Sequence, residues 1–316
     1  MIPPRRKQDF WRLLLILIFL LQAVVFFRNA YQSKDKGEGE GEGEGELIDK
    51  VSIIDKTKAK AQGRTISSAY NPSAASNPKA RKIIGTKFAV GSMSDRETSY
   101  DHLAISNKMR YTQKHGYDMI WSFEKAEGSY PKDWDRLNEM ERAIKAKHRG
   151  ENAYEWIWWT DFDLIVTNSS ITLESMVELA LEPYSAAERD QIDMIITPDC
   201  FPVNSGSLMV RTTPYILEVI KEWWRQKEIP GEEGDPRSLQ DCLRDMVATG
   251  TMGLDKKSTF VKQWQLNAFP PEIKCHQDHI PWQPGFFVIH FAGAWAHVDE
   301  PDPTGLLMRK YAPYAV

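Results

Sequence analysis

WIWWTDFDLIV, Trp156 to Val166, is apolar almost throughout, broken only by one threonine and two aspartates. It is too apolar for an ordinary solvent-facing strand, and the segments on either side set it in a repeating order. Upstream, LNEMERAIKAKH (137–148) has helical periodicity and closes near Gly150. Before it lie the strand YDMIWS (117–122), the helix SYDHLAISNKMRYTQKHG (99–116) with Gly116 as its stop, and the strand KFAVGSM (87–93). Downstream come a helix from Leu173 to Leu181, the strand DMIITPD (193–199), the segment NSGSLMVR (204–211) and the helix PYILEVIKEWWRQ (214–226). Strands alternating with helices in this way imply an α/β fold with a mostly parallel, doubly wound central sheet, whose ligands bind at the carboxyl ends of the strands.

At such an end, Asp161 and Asp163 need partners for their charge. In extended backbone the side chains at i and i+2 point the same way, so both carboxylates would face one cation. Hard oxygen ligands favour Mn²⁺ or Mg²⁺, ions that bridge naturally to a diphosphate. The plain alternative is a pair of acids in a turn that caps the strand. A second candidate lies in GFFVIHFAGAWAH (285–297), where His290 follows an apolar strand and precedes Ala292, Gly293 and Ala294. A neutral imidazole there could supply a third ligand, and the small residues would let the backbone approach a phosphate. A satisfied core histidine is the competing reading.

DPRSLQDCLRDMV (235–247) reads as a helix with Asp235 at its N-cap and Pro236 at its first position. Leu239, Cys242, Leu243, Met246 and Val247 fall at the spacing of a buried face, with Gln240 one step round.

The N-terminus is organised differently. Residues 1–12 carry Arg5, Arg6 and Lys7, and Leu13 to Phe27 is an apolar run broken only by Gln22. Basic residues before the run and no small-residue cleavage site after it predict a retained signal anchor at 13–30, with the N-terminus in the cytosol and the remainder in the lumen. Gly and Glu alternate strictly from Gly37 to Glu46, which offers no apolar face, so 31–81 reads as a disordered stem and 82–316 as one catalytic domain. A formal net charge of -4, with both signs spread along the chain, excludes the basic field that nucleic-acid binding needs. The three cysteines form no CxxC pair, which excludes a zinc ribbon or a thioredoxin-like site and allows at most one internal disulfide.

Several of these segments together resemble glycosyltransferase family 34, the fungal galactosyltransferase and mannosyltransferase group. Arg96, Tyr100, Asn107, Tyr111, His115, Gly116 and Tyr117 match its opening motif. WDRLNEM is similar to its WxKxxxx segment with Arg136 in place of lysine, and WIWWTDFDLIVTN to its WxWWxDxDxxxxN. VNSGSLMVR, LQDCL and VIHFAGAW resemble its remaining motifs, in order, so the likeness runs from about Lys82 to about His297. It implies a GT-A type nucleotide-sugar fold, retaining transfer, and a metal bound by Asp161, Asp163 and His290. It further implies Asn204, Gly206 and Ser207 on the sugar side, Gln240 near the reacting centre and Gly293 beside the diphosphate. Leu239 stands where the family usually has an acid, and Ala294 where it often has cysteine. The expected enzyme is therefore a Golgi type II membrane hexosyltransferase. Its donor is UDP-galactose or GDP-mannose and its acceptor a mannose-rich glycan. A non-catalytic subunit of a glycosyltransferase complex is the alternative that Leu239 favours.

Overall fold

The computed structural model describes residues 87–123, 132–230 and 237–315. The expected anchor at 13–30 and stem at 31–81 lie outside these residues, as do Asp235 and Pro236. Among the described residues no helix is long and apolar enough to cross a membrane.

The strands are β1 (Phe88–Met93), β2 (Asp118–Ser122), β3 (Trp156–Thr160), β4 (Leu164–Val166), β5 (Met194–Thr197), β6 (Asn204–Arg211), β7 (Ser258–Phe260) and β8 (Val288–His290). The α-helices are α1 (Asp101–His115), α2 (Asp135–His148), α3 (Leu173–Leu181), α4 (Ala186–Arg189), α5 (Pro214–Lys227), α6 (Leu239–Ala248), α7 (Leu254–Lys257), α8 (Gln263–Leu266) and α9 (Pro303–Tyr311). Six strands form a sheet in the order β2-β1-β3-β6-β5-β7, and β4 pairs with β8 in a second sheet. β2, β1 and β3 are mutually parallel and β7 is parallel to β5, while β6 runs against both neighbours. The sheet is thus α/β and mostly parallel, with one reversed strand in its middle.

The side-chain period of two explains why WIWW is apolar at every position. Ile157 and Trp159 point to one face, where they pack with Leu137, Val219, Trp223 and Leu239 from α2, α5 and α6. Trp156 and Trp158 point to the other, against Tyr111 of α1, Met176 of α3 and Phe287. Helices cover both faces, so no position of the strand meets water. Gly91 faces Trp159 so closely that a Cβ there would overlap the indole.

Two local expectations are corrected. The stretch from Trp156 to Val166 is two strands rather than one, because the chain turns at 161–163 and leaves the large sheet for the small one. α6 begins at Leu239, and its N-cap is Ser238 rather than Asp235: the Ser238 hydroxyl accepts the Asp241 N–H at 3.0 Å. That bond satisfies an orphan donor at the helix start, which fixes where the helix begins.

Candidate metal centre

The turn between β3 and β4 is set by the strands that flank it. Thr160, the last residue of β3, pairs with Ser207, and Leu164, the first of β4, pairs with His290. The acids between them therefore meet β6 and β8 at one point. His290 Nε2 lies 3.3 Å from Asp163 Oδ1 and 3.8 Å from Asp161 Oδ2. The expectation of extended backbone fails here, since the carboxylates converge through a turn. The turn does not merely cap a strand, because a buried imidazole faces both acids.

Gly206 closes the fourth side. A Cβ on it would stand 2.5 Å from both Asp161 Oδ2 and His290 Cε1, so only glycine lets β6 pass this close. Gly206→Ala is expected to push the acid and the imidazole apart and to cost about 10²-fold in turnover, the scale of an ångström-sized misplacement. Turnover and Mn²⁺ binding measured beside far-UV circular dichroism check this, and a folded variant of unchanged turnover would contradict it.

Buried cations sit on either side of the acids. Arg136 spans three partners, donating to Asp133 O and Ser205 O, each at 2.9 Å, and approaching Asp161 Oδ1 at 3.0 Å. Lys108, 1% exposed, donates to the carbonyls of Phe162 at 3.1 Å and Leu164 at 2.6 Å, so it holds the turn from beneath. Burial pushes its pKa down to about 7 against the pull of Asp163 and Asp161. Burial also works against charge on Asp163, but the adjacent His290, a backbone N–H and Lys108 outweigh it and hold that carboxyl below the usual carboxylate range. A cleft of about 390 Å³ opens on the turn, lined among others by Arg96, Tyr100, Arg136, Asp161 and Asp163.

The donor set fits a divalent cation. His290 is fully buried, and its Nε2 has no hydrogen-bond partner among the described residues although it faces two carboxylates. An orphaned nitrogen in such company is costly unless something else binds it. A second group, Asp199 with Cys200 and Cys275, does not fit one, because the two sulfurs are joined in a disulfide.

The other expected site residues fall around this cluster in different ways. Asn204 is buried with its amide already engaged: Nδ2 donates to Asp199 at 2.7 Å and Oδ1 accepts the Gly206 N–H at 2.8 Å. Ser207 Oγ donates to Leu266 O at 2.7 Å and accepts from Trp158 Nε1 at 3.1 Å. Gln240 Oε1 accepts the Ser205 N–H at 3.0 Å, next to the Ser205 carbonyl that Arg136 holds. Gly293 lies on the turn after β8 in the left-handed region, φ 66°, and beyond its chain neighbours no atom stands within 4 Å of where a Cβ would be. Lys108, Asp199 and Asn267 were not singled out from the sequence. Burial raises the Asp199 carboxyl above its usual range despite the Asn204 bond. Of the three, only Lys108 left a signal, because it falls on the buried stripe of α1 with Ala104, Tyr111 and Thr112.

Residues 82–300 match the galactosyl transferase GMA12/MNN10 family. The chain is 24% identical over 204 residues to the probable alpha-1,6-mannosyltransferase MNN10 of Saccharomyces cerevisiae, covering 56% of this chain and 50% of the yeast protein. It therefore spans about half the length of that relative. It is 24% identical over 262 residues to the probable alpha-1,2-galactosyltransferase gmh2 of Schizosaccharomyces pombe, covering 72% of this chain and 70% of the other. Among solved structures, a glycosyltransferase involved in the glycosylation of the major capsid of PBCV-1 aligns with a TM-score of 0.49 at 15% identity, over 71% of this chain and 100% of that one.

Proposed function

This chain belongs to the galactosyl transferase GMA12/MNN10 family and is a sugar-transferring enzyme, and from that premise we propose that it moves galactose from UDP-galactose onto mannose-containing glycans with retention of configuration. Asp161, Asp163 and His290 would hold Mn²⁺ or Mg²⁺, and the observation that carries this is the buried, unpartnered His290 Nε2 facing both acids. The cation, when bound, neutralises charge that develops on the departing diphosphate. The mostly parallel sheet, with the acid pair at the carboxyl end of β3, supports the GT-A type reading.

The chain's own residues supply the remainder. Arg96 places a guanidinium on the cleft that would take the nucleotide, where a planar fork suits phosphate oxygens, while Arg136, its nitrogens engaged by Asp133, Ser205 and Asp161, builds the wall of that cleft. Gly206 lets the β6 backbone lie against the ligands, and Gly293 gives the turn after β8 its left-handed bend. Asn204 and Ser207, engaged inside the fold, shape the sugar side by fixing β6. Gln240 Oε1 accepts one backbone N–H and keeps a second lone pair for positive charge on the donor sugar.

The galactosyl reading is favoured because the relative named as a galactosyltransferase covers 72% of this chain, against 56% for the one named as a mannosyltransferase. Transfer from GDP-mannose is the second reading, favoured by the yeast relative's name. In the cell, residues 1–12 would form a cytosolic tail, 13–30 a signal anchor, 31–81 a stem and 82–316 a catalytic domain in the Golgi lumen.

The test is a transfer assay on the full-length chain with an α-mannoside acceptor, comparing UDP-galactose with GDP-mannose in Mn²⁺ and in EDTA. Galactosylated product that disappears in EDTA is expected. Product from GDP-mannose alone would replace the donor, and full transfer in EDTA would remove the metal from the proposal.

A further inference from the structure

Asn267 ends the short helix α8 and is fully buried. Its Oδ1 lies 2.6 Å from His290 Nδ1, and its Nδ2 has no partner among the described residues. The amide's single side-chain hydrogen bond there is thus to the imidazole, on the side away from the two aspartates.

The imidazole is fixed in place by other contacts. The His290 backbone N–H donates to Ala268 O at 2.8 Å, which ties β8 to the segment that carries Asn267. The same segment is tied to β6 by the Ser207 bond to Leu266 O. Phe269 meets the ring edge-on, with centroids 5.5 Å apart. None of these contacts decides which ring nitrogen carries the proton. A carbonyl oxygen only accepts, so Asn267 Oδ1 at Nδ1 requires a proton there. A ring that ligates a cation is neutral with one N–H, so with Nδ1 protonated it is Nε2 that offers its lone pair to the ion that Asp161 and Asp163 face.

We infer that Asn267 is a positioning residue that holds His290 in the Nδ1–H tautomer and thereby sets the affinity of the centre for a divalent cation. The inference rests on the metal reading proposed above. A histidine ligand needs its other nitrogen engaged by an acceptor, and loss of such an acceptor typically weakens metal binding about 10–100-fold. Without Oδ1 the ring is free to carry its proton on Nε2, where it would donate to Asp163 and block the ligand position.

The test uses the full-length chain and Mn²⁺ alone, with binding read by electron paramagnetic resonance. Asn267→Leu, similar in volume and without an acceptor, is expected to bind Mn²⁺ about 10–100-fold more weakly. Asn267→Asp, which keeps an acceptor at the same reach, is expected to restore binding close to that of the parent. Nitrogen NMR of the parent loaded with diamagnetic Mg²⁺ should find His290 protonated at Nδ1 only. Unchanged Mn²⁺ affinity in Asn267→Leu, or an Nε2–H tautomer in the parent, would overturn the inference, and the second measurement decides even if Asn267→Leu does not fold. No donor or acceptor is involved. A parent that shows these effects but transfers no sugar would sink the proposed function and leave this inference standing, and a transferring parent whose Asn267→Leu variant binds Mn²⁺ normally would do the reverse.

Discussion

Asp163→Ala is expected to lower Mn²⁺-dependent transfer by about 10³-fold or more, while the protein still folds. Asp161 cannot stand in for the lost carboxylate, because its Oδ1 is held by Arg136. His290 would keep its orientation but lose its nearer acid, at 3.3 Å. The fold should survive because Asp163 is tied to its surroundings mainly by backbone: its carbonyl accepts the Phe291 N–H at 3.2 Å, and Lys108 grips the carbonyls of the residues on either side. Lys108 would lose an attractive charge but keep both of its carbonyl partners. Asp161→Asn and His290→Ala should be nearly as damaging. The check is turnover with and without Mn²⁺ beside circular dichroism, and activity of Asp163→Ala equal to that of the parent would end the metal role assigned to this turn.

Leu239→Glu is expected to destabilise the protein by about 4 kcal/mol or more and to give no gain in turnover. Leu239 is fully buried in the same apolar cluster as Trp223, Leu243 and Met246, and its carbonyl accepts the Trp223 indole N–H at 2.9 Å. An acid at the first residue of a helix gains at most about 1 kcal/mol from the helix dipole when exposed. That gain cannot offset burying a carboxylate among apolar side chains with no partner. Gln240, one step round, reaches Ser205 and the site instead. Melting temperature measured beside turnover separates the readings: a stable, faster Leu239→Glu enzyme would mean that this position had lost a catalytic acid.

The alternation of strands and helices was legible because each element carries its own period and stop. Gly116 ends α1 in the left-handed region at φ 71°, as its place in the sequence implies, and Pro214 opens α5 behind the Thr213 cap. The buried stripe of α6 was legible for the same reason, and it explains Leu239 without any catalytic role. What periodicity could not supply was the reversal of β6 or the break between β3 and β4, since both depend on pairing between distant segments. The break matters most: two aspartates two residues apart suit an extended strand or a turn equally well, and only the pairing of Leu164 with His290 decides. Arg136 reads in the sequence as a departure from a lysine, but its three-way bonding needs Ser205 and Asp161 brought to it in space. Asn267 left no trace, because a single amide in a loop has no pattern around it.

Cys200 and Cys275, joined in a disulfide, bind the loop after β5 to the segment before β8 across 75 residues of sequence. Closing a loop of that length removes about 4 kcal/mol of unfolded-state freedom in the chain-entropy account. A cross-link of this kind forms during synthesis only in an oxidising compartment. Cys200 is exposed, which leaves the bond open to thiols in solution. Production in an ordinary bacterial cytoplasm, or storage with dithiothreitol, would therefore yield protein in which the loop carrying Asp199 is untied. A weak preparation made that way would report on its handling rather than on the enzyme, so the host and the buffer belong among the controls for every assay proposed above.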